Sequence, residues 1–274
     1  MLFFWPPATI TGVITLPVRE VVFATRRARG ISLDLGDAAF PFSAGQAVMV
    51  GLNGSPLRKP YSIASAPWEV TRTGVMQLLI QIDDSALDPH LERATPGTQV
   101  DVEGPFGTFG LPAGESEEPL LFLAGGTGIA PLRSILMDRL MPAFAAPFAS
   151  ASTSAKASTS VKAPADQTAD RSARQAQVIH VIYSARSADE FAFRTELDAL
   201  EKAGRITIHF TVTRDEGGAW RGRRGRIDHA LIEDTLPSRD ARCLICGPPR
   251  MVADAKDWLE KIGVPAERIL TEQY

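Results

Sequence analysis

The sequence predicts a small antiparallel β-barrel followed by a five-stranded parallel α/β domain, a β + α/β chain of two domains. Three observations carry this reading. Residues 8–113 alternate short apolar runs with turns built on Gly and Pro, the rhythm of an antiparallel barrel. From Pro119 onward strands alternate with helical patterns, which requires a parallel sheet. Between the two rhythms, Leu111-Pro112-Ala113-Gly114 and the acidic run after it read as a hinge. The domains are therefore expected at residues 1–115 and 116–274.

In the first half the clearest strands are residues 18–23, 47–51, 61–64, 75–82 and 99–102. Ser43-Ala44-Gly45-Gln46, Asn53-Gly54-Ser55-Pro56 and Thr95-Pro96-Gly97 punctuate them, each a turn-forming cluster. One helix is expected at 88–94, where Asp88 is a cap and Pro89 sits in the first turn.

In the second half the strands are expected at 120–124, 178–184, 206–213, 243–247 and 269–274. The first breaks through Gly125-Gly126-Thr127-Gly128 into a helix with Ile129, Leu132, Leu136 and Leu140 on one face. Bare backbone N–H groups at a positive helix end bind phosphate, so Gly126, Thr127 and Gly128 are candidate ligand contacts. Pro131 stands near the place of the third glycine of the dinucleotide fingerprint, and the absence of a following Gly-Lys-Ser/Thr argues against a P-loop. Ser187-Ala188-Asp189-Glu190 reads as a capping box ahead of a helix carrying Phe193, Leu197 and Leu200, closed by Gly204. Asp228 caps a short helix that Pro237 stops, and a last helix spans 250–262 with Gly263 at its end. Residues 142–176 are rich in Ala, Ser, Thr and Pro; they read as a disordered low-complexity insertion, with a docking arm as the alternative.

Composition narrows the function classes. With 32 acidic and 29 basic residues, charge makes no case for nucleic acid or anionic membrane as a partner. No apolar run reaches the roughly 20 residues of a membrane helix. The apolar opening, Met1-Leu2-Phe3-Phe4-Trp5-Pro6-Pro7, is short and carries no basic residue, so a packed or frayed terminus is expected rather than a signal peptide. The two cysteines, Cys243 and Cys246, lie three apart on an expected buried strand. They therefore face opposite ways and are not expected to pair. Two cysteines cannot hold an iron–sulfur cluster alone, so no metal site is expected and a reducing, cytoplasmic location fits.

Four motifs follow one another in order: Lys59-Pro60-Tyr61-Ser62, Gly104-Pro105-Phe106-Gly107, the glycine loop at 125–128, and Cys246-Gly247-Pro248-Pro249. Their order and spacing resemble the ferredoxin–NADP reductase family, in which a flavin exchanges a hydride with a nicotinamide cofactor. The resemblance covers nearly the whole chain apart from the insertion. It implies a flavin-binding barrel followed by a Rossmann-like NAD(P)-binding domain. In the family an Arg-x-Tyr-Ser strand holds the flavin; here Tyr61 and Ser62 match, Pro60 lies between, and Lys59 takes the arginine's place. Arg58 comes one residue early and is expected on the opposite face. Lys59 supplies charge without a bidentate fork.

A second flavin signature, glycine followed by Ser/Thr-x-x-Leu, falls on residues 83–91. Asp88 takes the serine place there, no glycine precedes it, and His90 and Leu91 are the candidate flavin contacts. The resemblance implies FAD, with FMN as the alternative. Gly126, Thr127 and Gly128 would cradle the nicotinamide cofactor's pyrophosphate, and Cys246, Gly247 and Pro248 would border its reactive ring. The ending Glu272-Gln273-Tyr274 is similar to plant-type reductases, whose terminal tyrosine covers the flavin and swings aside for nicotinamide. Ser62, Cys246, Glu272 and Tyr274 would then form the catalytic set.

Thr213-Arg214 matches the Ser-Arg pair that grips the 2′-phosphate in NADP-dependent relatives, with Arg221, Arg223, Arg224 and Arg226 just beyond. The second parallel strand ends Ser184-Ala185-Arg186 without a ribose-binding acid, so NADPH is expected ahead of NADH. The expected function is a flavin-dependent NAD(P)H oxidoreductase serving a separate ferredoxin- or haem-type carrier. The alternatives are an electron-transfer subunit of a larger oxidoreductase or oxygenase complex, and a non-catalytic flavin-binding interaction module.

Overall fold

The computed structural model describes residues 12–82, 91–112, 117–140, 177–214, 218 and 220–274. The opening heptapeptide, the signature at 83–90 with His90, most of the hinge and the 142–176 insertion lie outside the described residues.

The first half is a six-stranded antiparallel sheet in the order β4-β3-β6-β1-β2-β5. Its strands are β1 (Val13–Thr25), β2 (Ala28–Asp34), β3 (Ala47–Leu52), β4 (Lys59–Ser62), β5 (Val75–Gln81) and β6 (Gln99–Phe106). The first part of β1 pairs with β6 and the rest with β2, with a register shift between Val18 and Glu20. Such an irregularity bends a strand, so one strand can serve both sides of a barrel. A bridge between Ile63 and Leu78 joins the β4 end to β5 and closes the sheet. Val48, Val50, Ile63, Leu78, Val100 and Val102 fill its interior.

Two elements differ from expectation. β2 is a strand the sequence pattern does not announce: only Ile31 and Leu33 are large and apolar, and Arg29, Gly30 and Ser32 break the run. Among the described residues the helix of this half is α1 (Pro67–Thr73), with Pro67 in the first turn, Glu69 accepting from the Ala66 amide at 2.7 Å, and a left-handed Gly74 at its end. Near 88–94 the described residues form only a single 3₁₀ turn, Leu91–Arg93.

The second half is a six-stranded parallel sheet in the order β10-β9-β8-β7-β11-β12. Five strands fall where the sequence places them: β7 (Leu120–Gly125), β8 (Ile179–Ala185), β9 (Thr207–Val212), β11 (Arg242–Gly247) and β12 (Ile269–Gln273). The sixth, β10 (Arg223–Arg224), is a two-residue edge pairing with β9 that carries no periodicity. Helices α2 (Ile129–Leu140), α3 (Arg194–Lys202), α4 (His229–Thr235) and α5 (Pro249–Ile262) cover the sheet. The expected capping box at Ser187 is instead a 3₁₀ turn, and α3 begins only after Phe193. The reason is local: the Ser187 hydroxyl donates to Asp189 Oδ1 at 2.6 Å rather than capping a helix.

Cys243 and Cys246 are buried and free. Cys243 packs on the α4–α5 side of the sheet and Cys246 in the cluster shared with α2, as alternation along β11 requires. That shared cluster also takes in Ala64 and Leu79 of the barrel. The two halves therefore bury a common apolar face.

Candidate functional site at the ends of the parallel strands

Strand β7 hands the chain to α2 through Gly126-Thr127-Gly128, wound as one 3₁₀ turn. Gly126 has φ +55°, a left-handed conformation that favours glycine. A Cβ at Gly128 would lie 2.3 Å from the Cys246 carbonyl oxygen. Glycine there lets the loop lie directly against the end of β11. Two tyrosine hydroxyls hold the loop carbonyls: Tyr274 donates to Gly125 O at 2.6 Å, and Tyr183 donates to Gly126 O at 3.1 Å. Buried Tyr183 also accepts from the Ala192 amide at 3.1 Å. The Tyr274 oxygen in turn faces the Thr127 hydroxyl and the backbone N–H groups of Thr127 and Gly128, donors that fit a phosphate cradle once that oxygen gives way.

At this point three distant segments converge. The Ser62 hydroxyl at the end of β4 lies 3.4 Å from Glu272 Oε2, and Cys246 Sγ lies 3.8 Å from the same oxygen. β12 places Glu272 beside Cys246 through the parallel register of β11 with β12. Burial pushes the Glu272 carboxyl up to about 7 from the ordinary 4.5. Burial, together with the neighbouring Glu272, also raises the Cys246 thiol, which keeps it protonated. Tyr274 is 53% exposed while its hydroxyl stays tied to the loop. The structure thus brings Ser62, Cys246, Glu272 and Tyr274 to one place.

The raised carboxyl makes a stability prediction. A native acid with a raised pKa binds its proton more tightly than the unfolded chain does, so folding is favoured below about pH 4.5 and loses that advantage as pH rises through 7. The full loss is about 3 kcal/mol. Relative to wild type, Glu272→Gln is expected to gain up to that amount between pH 5 and 8, read from urea unfolding at each pH. An unchanged difference across that window would show that the carboxyl is not held near neutrality.

From this junction a cleft of about 540 Å³ runs over the strand ends. Arg27, Arg186, Arg214, Arg226 and Arg250 line it, against Glu190 and Asp254. That excess of cations fits a ligand carrying several phosphates. Thr213 and Arg214 line the cleft; the Thr213 hydroxyl donates to Ala185 O at 3.3 Å. Of the four arginines beyond them, Arg226 reaches the cleft, whereas Arg223 pairs with Asp228 at 2.6 Å and Arg224 bonds Trp220 O. Glu190 escapes a reading of the sequence: the end of β8 has no acid, but the turn just beyond it delivers one to the cleft.

On the barrel side, Tyr61 is half-buried against the interior cluster, and Lys59 and Pro60 share its strand. Arg58 turns to β6, 3.8 Å from both Asp101 and Glu103. Leu91 is fully buried in the barrel core. Gly247 and Pro248 close the end of β11, where the Met251 side chain would clash with any Cβ on Gly247.

Comparison with known proteins agrees with this layout. Residues 15–110 match the model of the oxidoreductase FAD-binding domain, and residues 122–257 that of the oxidoreductase NAD-binding domain. The chain is 30% identical over 261 residues to ferredoxin–NADP reductase B of Sorangium cellulosum, covering 90% of this chain and 91% of that protein. It is 27% identical to NADH-cytochrome b5 reductase 1 of Meyerozyma guilliermondii, over 82% of this chain and 69% of that one. Among solved structures, a ferredoxin NADP+ reductase from Neisseria gonorrhoeae with bound FAD and NADP superposes with a TM-score of 0.69 at 19% identity, covering 96% of this chain and 99% of that one.

Proposed function

The chain belongs to the ferredoxin–NADP reductase family and is a flavin-dependent NAD(P)H oxidoreductase, and from that premise we propose that it moves electrons from NADPH, ahead of NADH, to a separate iron–sulfur or haem protein in the cytoplasm. The observation that carries the residue assignment is the meeting of Ser62, Cys246 and Glu272, from segments up to 210 positions apart, beside the glycine turn. We assign residues 1–115 to flavin binding and 116–274 to nicotinamide binding. Bound FAD supplies two-electron exchange with nicotinamide and one-electron exchange with the protein acceptor.

The chain's own residues do the rest. Lys59, Pro60, Tyr61 and Ser62 hold the flavin, with Lys59 opposing pyrophosphate charge and Tyr61 offering a ring face. Gly126, Thr127 and Gly128 receive the nicotinamide cofactor's pyrophosphate on backbone N–H groups. Cys246, Gly247 and Pro248 border its reactive ring, where an uncharged thiol adds bulk without charge. Glu272, near neutrality at physiological pH, holds or releases a proton at Oε2 next to the Ser62 hydroxyl. Tyr274 shields this junction and must release Gly125 O to uncover it. Fixing two rings within reacting distance is the main catalytic contribution of such a site.

The purified protein is expected to be yellow and to bleach on mixing with NADPH, faster than with NADH, in anaerobic stopped flow. Colourless protein that takes up neither FAD nor FMN would overturn the assignment of the barrel site. Bound flavin that neither nucleotide bleaches would overturn the nicotinamide assignment.

A further inference from the structure

Arg133 lies on the apolar face of α2, four residues after Ile129, and its side chain is only 6% exposed. A buried guanidinium needs its donors answered, and here they are. Nη1 donates to Glu69 Oε2 at 2.9 Å and Nη2 to Glu69 Oε1 at 3.0 Å. Nε and Nη2 donate to Glu196 at 2.6 and 2.7 Å, and Nη1 also donates to Ala64 O at 2.8 Å. Glu69 and Ala64 belong to the flavin half, whereas Glu196 belongs to α3 of the nicotinamide half.

The neighbouring contacts run the same way. Ser134 donates its hydroxyl to Ser65 O at 2.7 Å, and Trp68 donates its indole N–H to Met137 O at 3.2 Å. On the flavin side these bonds all fall on residues 64–69, which follow Ser62 closely. On the nicotinamide side their partners Arg133, Ser134 and Met137 all sit on α2, which leaves the glycine turn directly. The helix carrying the phosphate cradle is therefore bolted to the segment carrying the flavin-side serine.

We propose that Arg133, with Ser134 and Trp68, forms a seam that sets the register between the flavin-side strand end and the nicotinamide-side loop, so that Arg133 is a positioning residue for hydride transfer. The inference rests on the proposed reading of the two half-sites. Its physical basis is the steep dependence of such a reaction on ring placement, where a displacement of about 1 Å costs roughly a hundredfold in rate. Apolar contact between the halves tolerates sliding; bidentate charge-assisted bonds do not.

The test uses the full-length protein. Glu69→Gln combined with Ser134→Ala weakens the cross-boundary bonds, while the carboxamide oxygen introduced at position 69 can still accept from the Ala66 amide. Glu196→Gln weakens the same guanidinium from within one half and serves as the control. The seam variant is expected to lose about tenfold in flavin reduction at saturating NADPH, with flavin affinity and the Kd for NADP+ within about twofold of wild type. The long-wavelength charge-transfer absorbance of the nucleotide complex is expected to fall with the rate. Amide exchange in the protein as purified should quicken severalfold over residues 64–70 and 125–128. Glu196→Gln is expected to stay within about twofold of wild type in all of these.

An unchanged rate in the seam variant overturns the proposal, and so do equal losses in the seam and control variants. Should the double variant fail to fold, Trp68→Phe and Ser134→Ala singly apply the same test, with losses of about threefold expected and none overturning it. Wild-type protein that NADPH does not reduce would count against the parent reading, while the exchange result would still judge the seam.

Discussion

Gly128→Ala is expected to cut nicotinamide-dependent flavin reduction by about a hundredfold while the flavin stays bound. The added methyl would lie 2.3 Å from Cys246 O, 2.6 Å from Cys246 C and 2.9 Å from Gly247 N. Those are backbone atoms of β11, which is paired to β7 on one side and β12 on the other. No flexible side chain can yield, so the glycine turn or the end of β11 must move. Either motion parts the glycine turn from Cys246 and Gly247, and an error of about 1 Å in placement is worth roughly a hundredfold. Overpacking should also lower stability by about 1–3 kcal/mol. Flavin absorbance reports retention of the cofactor, stopped flow the rate, and urea unfolding the stability. A wild-type rate in a variant whose stability falls would place the turn away from the reacting centre.

Most of the architecture is legible because its signals are local and periodic. β7, β8, β9, β11 and β12 each carry an apolar run between helical patterns, and the glycine turn announces itself between β7 and α2. β2 escapes because Arg29 and Gly30 interrupt a strand whose burial comes from neighbours on both sides. The signs of α1 are a proline, a glutamate two residues on and a glycine stop, but seven residues give too little periodicity to outweigh the surrounding strands. The loss of the Ser187 capping box shows the reverse error: the pattern fits a cap, yet the serine satisfies itself on Asp189.

The candidate site divides along the same line. Individual motifs show in the sequence, whereas their convergence depends on register and on how the halves pack. Glu190 and the Arg133 seam are unreadable as pairs, because nothing near Glu69 or Glu196 in sequence points to Arg133. One signal was available. Arg133 shares the stripe of Ile129, Leu136 and Leu140, and a cation on an apolar helical face requires buried acceptors.

Arg214→Ala is expected to raise the NADPH Michaelis constant by about tenfold to a hundredfold and to leave NADH nearly untouched. Arg214 follows the end of β9, with its amide bonded to Arg186 O at 2.6 Å, and its side chain lines the basic cleft. A charge-assisted bond to a 2′-phosphate is worth roughly 1.5–3 kcal/mol, which sets the range. Thr213 is expected to contribute less than Arg214, since its hydroxyl donates to Ala185 O and would first have to turn toward phosphate. Glu190 lines the same cleft; burial raises its carboxyl above the ordinary range, and Arg27 and Arg214 only partly oppose that shift. An acid there would offset part of the local positive field when ionised and offer the unphosphorylated ribose a hydroxyl acceptor, so NADH is expected to be used rather than refused. The discrimination is therefore expected to rest on Arg214 more than on Arg223 and Arg224, which are engaged elsewhere. Steady-state kinetics with both nucleotides decide it. Equal losses would place Arg214 on a phosphate common to both cofactors, and no loss with either would leave it outside the binding site.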